Sequence, residues 1–370
     1  MTQTIYPWEQ PTDEPNHRFL LDYTYPELSK LIRHWGLKEA NAKLIFNAIQ
    51  RHGITSTGDF DMHHLNRRAL ARLNAPDAPP LRVYQKIQTF PSSDGSVKYL
   101  YTLNHGGQIE SVFMPFENRN TYCISSQVGC ALGCTFCATG AMGFRRHLTP
   151  GEIVGQVLHM RRCHPGPNGQ ASRMNVVFMG MGEPLHNLNN LMRAFEILTH
   201  QHGLVLSEKD VAVSTSGLVP KIEAMGKFKK RPRLMVSIAA TTDVARSAIM
   251  PVNRAYPLRK LMDCLANFPL QKNEKIMLSY VLIAGVNDHL EDAERLASMS
   301  KRFPSLVNLI PMNAHEAAPG MKEPPEERLE GFYRRLIDMG SFATIRRSRG
   351  RDVGAACGQL IAPSTSAPPS

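Results

Sequence analysis

The sequence lacks any apolar run long enough to cross a membrane. A membrane-spanning helix needs about 20 consecutive apolar residues, whereas this 370-residue chain is 42% hydrophobic and 20% charged, as is ordinary for a globular protein. Residues 1–14 are polar and carry prolines, without the basic-then-apolar order of a secretory signal. We therefore predict a cytoplasmic protein with no membrane partner, large enough for one major domain and a small one.

Acidic residues are the minority among the charged side chains. Lys and Arg number 43 against 32 Asp and Glu, which gives a formal net charge of +11. A basic surplus favours contact with phosphate-rich partners such as RNA. Two basic clusters, 227–233 and 346–351, could neutralise phosphates, although clusters of this kind are more often solvated faces.

The cysteines are few and do not form an evenly spaced, even-numbered set. There are seven, a pattern that argues against the disulfide framework of a small secreted protein. Four of them lie within fifteen residues of the chain, namely Cys123, Cys130, Cys134 and Cys137. In a cytosolic chain, such clustering indicates metal ligation or redox chemistry.

Cys130-Ala-Leu-Gly-Cys134-Thr-Phe-Cys137 is the most specific motif in the sequence. Three thiolates on one short loop can bind three irons of a 4Fe–4S cluster and leave the fourth iron open to a small molecule. The alternative is a structural zinc site, which needs four ligands. No second CxxC pair is present, so His147 would have to complete such a site. The motif therefore favours the iron–sulfur cluster.

Hydrophobic periodicity divides the chain into a helical N-terminal part and a larger α/β part. Apolar residues three and four positions apart predict helices between residues 17 and 73, followed by a proline-rich linker at 74–80. Alternation of apolar and polar residues at 97–115 predicts a β-hairpin.

From residue 120 onward, six apolar strands alternate with helices, which predicts parallel βα units. The strands are expected at Tyr122–Ser126, Met174–Met179, Val211–Ser214, Leu234–Ile238, Ile276–Leu282 and Val307–Pro311. Six units form an incomplete (β/α)6 barrel, similar to a TIM barrel but open on one side. Polar and glycine-rich motifs follow these strands, at the end where barrel chemistry lies.

Several longer motifs resemble those of the RlmN/Cfr family of radical S-adenosylmethionine (SAM) RNA adenosine methyltransferases. The CxxxCxxC spacing and Phe136 fit the radical SAM signature. The other matching stretches are Ser125–Cys134, Met179–Asn190, Ser214–Pro220, Asn308–Asn313 and Ala355–Leu360. Close resemblance extends from the hairpin through Leu360, and the N-terminal helices match the family's accessory domain more loosely.

The resemblance implies a division of the chain into four parts. Residues 1–95 would form an N-terminal helical domain that docks RNA, with its linker, and 96–118 a β-hairpin extension. Residues 119–361 would form the radical SAM partial barrel and a C-terminal segment that carries a methyl-accepting cysteine. The tail 362–370 is rich in Pro, Ser and Ala and is expected to be disordered.

The resemblance also implies chemistry at thiols outside the cluster motif. Cys357 would accept a methyl group from a first SAM. A second SAM, bound to the cluster, would yield a 5′-deoxyadenosyl radical that removes hydrogen from the S-methyl group, and the carbon radical would add to adenine. Glu110 would accept the ring proton, and Cys123 would attack Cys357 to release the product, leaving a transient disulfide. Read from the residues alone, inert cysteines and a solvent-facing carboxylate remain the alternatives.

Seven positions match the SAM-binding set of the family. They are Gly182, Glu183, Ser214, Ser237, Ile238, Ala239 and Asn313. Glycine lets the backbone approach a ligand, and a carboxylate can accept a hydrogen bond from the ammonium group of SAM. The chain departs from the family in two places, since Ala239 replaces a usual His and Met312-Asn313-Ala314 replaces Trp-Asn-Pro. These departures suggest a divergent branch.

The expected function is methylation of an adenosine ring carbon in 23S rRNA, with certain tRNAs as further candidate substrates. The surroundings of Arg349-Gly350 and Asn308–Pro311 favour carbon 2 over carbon 8, the carbon used by the Cfr branch. A methylthiotransferase would need a second cysteine triad, which is lacking. A zinc-stabilised RNA-binding protein is the non-catalytic alternative. The expected partners are RNA and an electron donor such as flavodoxin, and the expected assembly is a monomer.

Overall fold

One central sheet combines an antiparallel hairpin region with a parallel barrel region. The computed structural model describes residues 19–63, 65–165 and 173–361. The predicted disordered tail lies outside these residues. The strands are β1 Tyr84–Pro91, β2 Val97–Leu103, β3 Gln108–Phe116, β4 Arg119–Cys123, β5 Gln127–Gly129, β6 Phe144–His147, β7 Met174–Phe178, β8 Val211–Thr215, β9 Arg233–Ser237, β10 Ile276–Leu282, β11 Ser305–Pro311 and β12 Ala343–Ile345.

Helices precede the sheet in the chain and then alternate with its parallel strands. They are α1 Tyr25–His34, α2 Ala40–His52, α3 Arg67–Leu73, α4 Ala138–Ala141, α5 Pro150–Cys163, α6 Leu188–Thr199, α7 Val219–Gly226, α8 Asp243–Ile249, α9 Leu258–Ala266, α10 Leu290–Ser300 and α11 Glu326–Asp338. None of the helices in the described ranges is both long and apolar enough to cross a membrane.

The order of the ten-stranded sheet is β1-β2-β3-β4-β7-β8-β9-β10-β11-β12. Neighbours from β1 to β4 are antiparallel, and neighbours from β4 to β12 are parallel. The six predicted strands correspond to β4 and β7 to β11, and β12 adds a seventh parallel strand. The predicted partial α/β barrel is therefore confirmed.

The sequence analysis grouped 84–91 with the N-terminal part and predicted no strand there, whereas the structure forms β1 and pairs it with β2. Most side chains of β1 are exposed or half-buried. An edge strand of this kind has no apolar alternation, because neither of its faces is fully covered. Periodicity therefore could not reveal it.

The carboxylates of Glu27 and Asp22 attach the N-terminal helical part to the barrel. Glu27 accepts a hydrogen bond from the backbone N–H of Thr24 at the start of α1, and it pairs with Arg193 of α6 at 2.8 Å. Asp22 accepts from the backbone N–H of Gly151 at 2.7 Å. The helical part is thus attached to the barrel at the first turn of α5 and the second turn of α6.

The carboxyl ends of the parallel strands lie at one edge of the sheet, as in other α/β barrels. Cys123 ends β4, Glu183 follows β7, and Ser214 is the last residue but one of β8. Ser237 ends β9, and Asn313 follows β11. The motifs singled out from the sequence therefore share this edge, where parallel strands position ligands.

Candidate active site

The cluster motif forms a loop between β5 and α4. Its three cysteines are free thiols. Burial raises the pKa of each thiol, and negative charge at Cys134 and Cys137 raises the pKa of Cys130 further. The three sulfurs therefore share one electrostatic environment, in which thiolates need bound positive charge. A metal cluster supplies that charge, so the donor set fits an iron–sulfur cluster.

Within the described ranges, no group of three or more His, Cys, Asp or Glu side chains surrounds a point suited to one metal ion. A cubane cluster presents a separate iron to each thiolate, so its ligands need not converge on a single point. His147, the candidate fourth zinc ligand, accepts at Nδ1 from the side-chain amide of Gln127 at 3.0 Å. Burial lowers the pKa of His147 to about 3.

Glu183 is fixed by hydrogen bonds from two neighbouring strand ends. Its Oε2 accepts from the backbone N–H and the hydroxyl of Ser216, at 2.9 and 2.7 Å, and its Oε1 accepts from the N–H of Leu185 at 3.0 Å. Burial raises the pKa of Glu183, and the hydrogen bonds from Ser216 oppose that rise. Each carboxylate oxygen has two lone pairs, so acceptor capacity remains for a ligand ammonium.

Gly182 meets a close approach that no side chain would fit. It has a φ of +99°, and a Cβ atom built on it would lie 2.5 Å from Cβ of Gln127. Oε1 of Gln127 accepts from the backbone N–H of Glu183 at 2.7 Å. Glycine at position 182 thus allows β5 to pack closely against the loop after β7.

We expect Gly182→Ala to disrupt the candidate SAM site. The added methyl group would displace Gln127 and break its bond to Glu183, and the left-handed backbone adds strain of roughly 1–2 kcal/mol. SAM affinity, measured by equilibrium dialysis, should fall at least about tenfold, which is the effect of losing a net hydrogen bond. Gly331→Ala on α11 is the control, because no atom lies within 4 Å of the new Cβ. Unchanged affinity of the Gly182 variant would contradict this prediction.

The end of β9 holds the position where the family's usual His is replaced. Ala239 is fully buried with a φ of +57°, a conformation that is unfavourable for residues other than glycine. Its carbonyl accepts from Nδ2 of Asn287 at 2.6 Å, and the N–H of Ile238 donates to the carbonyl of Ser279 at 2.9 Å. These hydrogen bonds hold the bend in place, and only a methyl group occupies the position of the imidazole.

Asn313 joins the candidate SAM site to the Cys357 segment. Its Nδ2 donates to the hydroxyl of Ser348 at 2.9 Å and to the carbonyl of Cys357 at 3.0 Å. Its Oδ1 is buried and has no partner within the described part of the chain. A buried acceptor without a partner fits a site that receives a ligand donor.

The Cys357 segment is hydrogen-bonded to α4, the helix that directly follows the cluster loop. The N–H of Ala138 donates to the carbonyl of Gly358 at 2.7 Å, and the hydroxyl of Thr139 donates to the carbonyl of Leu360 at 2.7 Å. Cys357 remains solvent-accessible, yet protein surrounds its thiol closely enough for desolvation to raise its pKa.

Cys123 lies close enough to Cys357 for charge on Cys357 to raise its pKa, and both are free thiols. Burial and, next, negative charge at Cys357 raise the pKa of Cys123 to about 12. The Arg346 guanidinium opposes the rise for both thiols, and negative charge at Cys137 adds to it for Cys357. The structure thus brings together the last cluster cysteine, the two further thiols and one cation.

Glu110 is buried on β3 rather than facing solvent. Its Oε1 pairs with Lys98 at 3.0 Å, and its Oε2 accepts from the backbone N–H of Ile361 at 3.0 Å. Burial raises the pKa of Glu110, and Lys98 opposes that rise. A buried carboxylate with a raised pKa beside the Cys357 segment is suited to accept a proton near neutral pH.

The two basic clusters are partly neutralised by the protein itself. Arg347, Arg349 and Arg351 pair with Glu326, Asp94 and Glu323 respectively. In the other cluster, Arg231 is buried and pairs with Glu274. These pairs leave less free charge for phosphates than the sequence suggested.

Gln127, Ser216, Lys98 and Arg346 belong to the site but were not singled out from the sequence as its members. Gln127 and Ser216 lie within the matching stretches Ser125–Cys134 and Ser214–Pro220, which is the one signal that could have indicated them. Lys98 gives no signal, because only the pairing of β2 with β3 brings it beside Glu110. Arg346 was grouped with a phosphate-binding cluster, whereas its guanidinium contacts Sδ of Met179 at 3.4 Å and its charge lowers the pKa of both thiols.

Comparison with known proteins agrees with this geometry. Residues 124–297 match the model of the radical SAM superfamily. The chain is 43% identical to "Dual-specificity RNA methyltransferase RlmN" of Geobacter sulfurreducens over 90% of this chain and 89% of that protein. It is 41% identical to a protein of the same name from an Anaeromyxobacter species, over 96% and 93%.

A solved structure has the same fold. The crystal structure of a radical SAM methyltransferase from Sphaerobacter thermophilus superposes with a TM-score of 0.87 and 37% sequence identity. The match covers 93% of this chain and 99% of that one. The likeness therefore includes the helical N-terminal part as well as the barrel.

Proposed function

The chain belongs to the RlmN/Cfr family of radical SAM RNA methyltransferases, and we propose that it methylates carbon 2 of an adenosine in 23S rRNA and in certain tRNAs. As a member of this family it is an enzyme that uses a 4Fe–4S cluster and SAM. Held by the three cysteines of its motif, the cluster would supply the electron for reductive cleavage of SAM. The observation that carries the proposal is the pair Cys123 and Cys357 beside the cluster loop, because a radical enzyme without a methyl carrier needs neither thiol.

Each of the chain's own groups has a proposed role. Cys130, Cys134 and Cys137 ligate the cluster, and the chain holds SAM through the remaining set Gly182, Glu183, Ser214, Ser237, Ile238, Ala239 and Asn313. The Cys357 thiolate attacks the methyl group of SAM, so a sulfur–carbon bond forms as the bond from the methyl group to SAM breaks and S-adenosylhomocysteine leaves. Arg346 favours that thiolate against the effect of burial.

Glu110 and Cys123 act after the former methyl carbon on the sulfur of Cys357 has been joined to the adenine ring. Glu110 accepts the ring proton, and the adduct also gives up its one unpaired electron, which the oxidised cluster would take back, so that the ring regains its aromatic form. Cys123 then attacks the sulfur of Cys357, forming a disulfide while the bond from that sulfur to the RNA-linked carbon breaks, and the carbon retains the electron pair and takes a proton. The two sulfurs are thereby oxidised and the carbon is reduced, and a reductant must reopen the disulfide before the next turnover.

The proposed function also includes an electron donor, an assembly state, a location and a role for each part of the chain. A one-electron donor such as flavodoxin reduces the cluster, the enzyme acts as a monomer without a membrane partner, and it works in the cytoplasm on ribosomal RNA. The N-terminal part, residues 1–95, docks RNA, the hairpin 96–118 carries Glu110, and 119–361 holds the catalytic barrel.

Mass spectrometry of rRNA and tRNA nucleosides from cells with and without the protein tests the proposed function. Expected is 2-methyladenosine that is present only with the protein. A methyl group on carbon 8 would indicate the Cfr-like alternative. No methylated adenosine, together with colourless protein containing zinc, would support the non-catalytic RNA-binding alternative and overturn the proposal.

The Lys98–Glu110 pair predicts the acidic limb of the pH profile. Glu110 accepts a proton as the carboxylate, so methylation should fall as pH falls through its raised pKa. Lys98 favours the carboxylate, so Lys98→Met should move this limb to higher pH. Glu110→Gln should reduce the methylation rate by roughly 10²-fold or more at pH values above this limb and should remove the limb itself, as for loss of a general base. An unshifted limb in the Lys98 variant would contradict the assignment.

A further inference from the structure

Arg246 is a buried cation without a part in the methyl-transfer steps proposed above. It lies on α8 and is 0% exposed. Its guanidinium donates to the carbonyls of Ile238, Ser216 and Ser237, at 3.0, 2.6 and 3.1 Å, and to Oδ1 of Asn253 at 3.0 Å. All four acceptors are neutral, so they orient the guanidinium without compensating its charge.

No carboxylate forms an ion pair with Arg246 in the described parts of the chain. Asp243 lies on the same helix, but its Oδ1 accepts from Nδ2 of Asn253 and from the N–H of Leu258, at 3.0 and 2.8 Å. In contrast, the buried guanidinium of Arg231 pairs with a carboxylate at 2.6 Å. A buried cation that lacks such a partner is unfavourable unless another negative group offsets it.

The negative group that favours the Arg246 cation most is Cys134 of the cluster motif. Burial lowers the pKa of Arg246 to about 10, and negative charge at Cys134 opposes that lowering more than Asp243 does. The N–H of Thr135 donates to the carbonyl of Ile249 at 3.0 Å. The helix that carries Arg246 is therefore hydrogen-bonded to the cluster loop.

We propose that Arg246 is the buried counter-charge of the iron–sulfur cluster and raises its reduction potential. This inference rests on the proposed role of Cys134 as a cluster ligand. Three thiolates give the bound cluster a net negative charge, and reduction adds another negative charge. A fixed cation in surroundings of low dielectric stabilises the reduced state more than the oxidised state. Arg246 is thus a positioning residue that acts through the cluster.

The hydrogen bonds of Arg246 also connect this charge to the candidate SAM site. Arg246 holds the carbonyl of Ser216, whose N–H and hydroxyl donate to Glu183. It also holds the carbonyls at the end of β9. A purely structural role would need these bonds but not the positive charge, so an experiment can separate the two roles.

The test is a redox titration of the cluster, followed by electron paramagnetic resonance, in purified full-length protein without RNA. Arg246→Met removes the charge and keeps most of the side-chain length. At a fixed potential it should lower the ratio of reduced to oxidised cluster at least about tenfold, which for one electron is a shift of about 59 mV to lower potential. Arg246→Lys keeps the charge but loses most of the hydrogen bonds, and it should stay closer to the unaltered protein than to Arg246→Met.

Arg335→Met is the control for net charge, since it removes an exposed cation paired with Glu294 on the outside of the barrel. Because solvent screens the exposed charge of Arg335, the reduction potential of the cluster in this variant should equal that of the unaltered protein. If Arg246→Lys incorporates iron but Arg246→Met does not, that result would also support the requirement for a positive charge at position 246. An unchanged potential in Arg246→Met, or equal defects in both Arg246 variants, would overturn the proposal. Iron analysis of the unaltered protein and of a Cys134→Ala variant tests the ligand assignment separately.

Discussion

Cys357→Ala should abolish methylation of RNA while leaving the iron–sulfur cluster in place. The variant lacks the nucleophile that takes the methyl group from SAM, and alanine offers no alternative sulfur. Loss of a covalent nucleophile has cost on the order of 10⁶ in rate in other enzymes, so we expect a fall of at least about 10⁴. The hydrogen bonds of this segment to α4, directly after the cluster loop, are accepted by backbone carbonyls of Gly358 and Leu360, which the substitution retains.

Three measurements on the purified variant separate the carrier from the cluster. Methylated adenosine should be absent, the protein mass should show no added methyl group after incubation with SAM, and the iron content should match that of the unaltered protein. Cys264→Ala is the matched control, because Cys264 is a buried thiol of α9 that takes no part in the site. Methylation by Cys357→Ala at the normal rate would remove Cys357 from the mechanism.

The sequence predicted the barrel because its parallel strands are apolar runs of ordinary length separated by amphipathic helices. Buried strands of this kind leave a strong signal. The exposed edge strand β1 leaves none, since its side chains alternate in neither size nor polarity. The fold was thus predictable where both faces of the sheet are covered, and it was not predictable at the edge.

The residues of the candidate site that belong to sequence motifs could be predicted, whereas its isolated charged residues could not. Glycine and cysteine at fixed spacings indicated the cluster loop and the loop after β7. Arg246 lies in a short helix among Ala, Ser and Ile, where an arginine would ordinarily be exposed. Its burial depends on carbonyls from two strand ends and on a loop more than a hundred residues earlier. Only the folded chain brings these groups together.

Cys123→Ala should trap the protein covalently on its RNA substrate. Removal of Cys123 leaves the steps on Cys357 intact but takes away the thiol that opens the sulfur–carbon link. The remaining path is slow release by solvent thiols, so we expect product release to fall at least about 10²-fold, because a held reactant is lost. The adduct should migrate as a larger species in a denaturing gel and should disappear after ribonuclease treatment.

The position of Cys123 makes this result specific. It ends β4, and its thiol is buried among groups that include the Cys357 thiol and Arg346. Cys163 lies on the exposed end of α5, so Cys163→Ala should release product as the unaltered protein does. The double variant Cys123→Ala with Cys357→Ala should form no adduct, because RNA is then never joined to a methyl carrier. Normal turnover by Cys123→Ala, without an adduct, would show that another group resolves the intermediate.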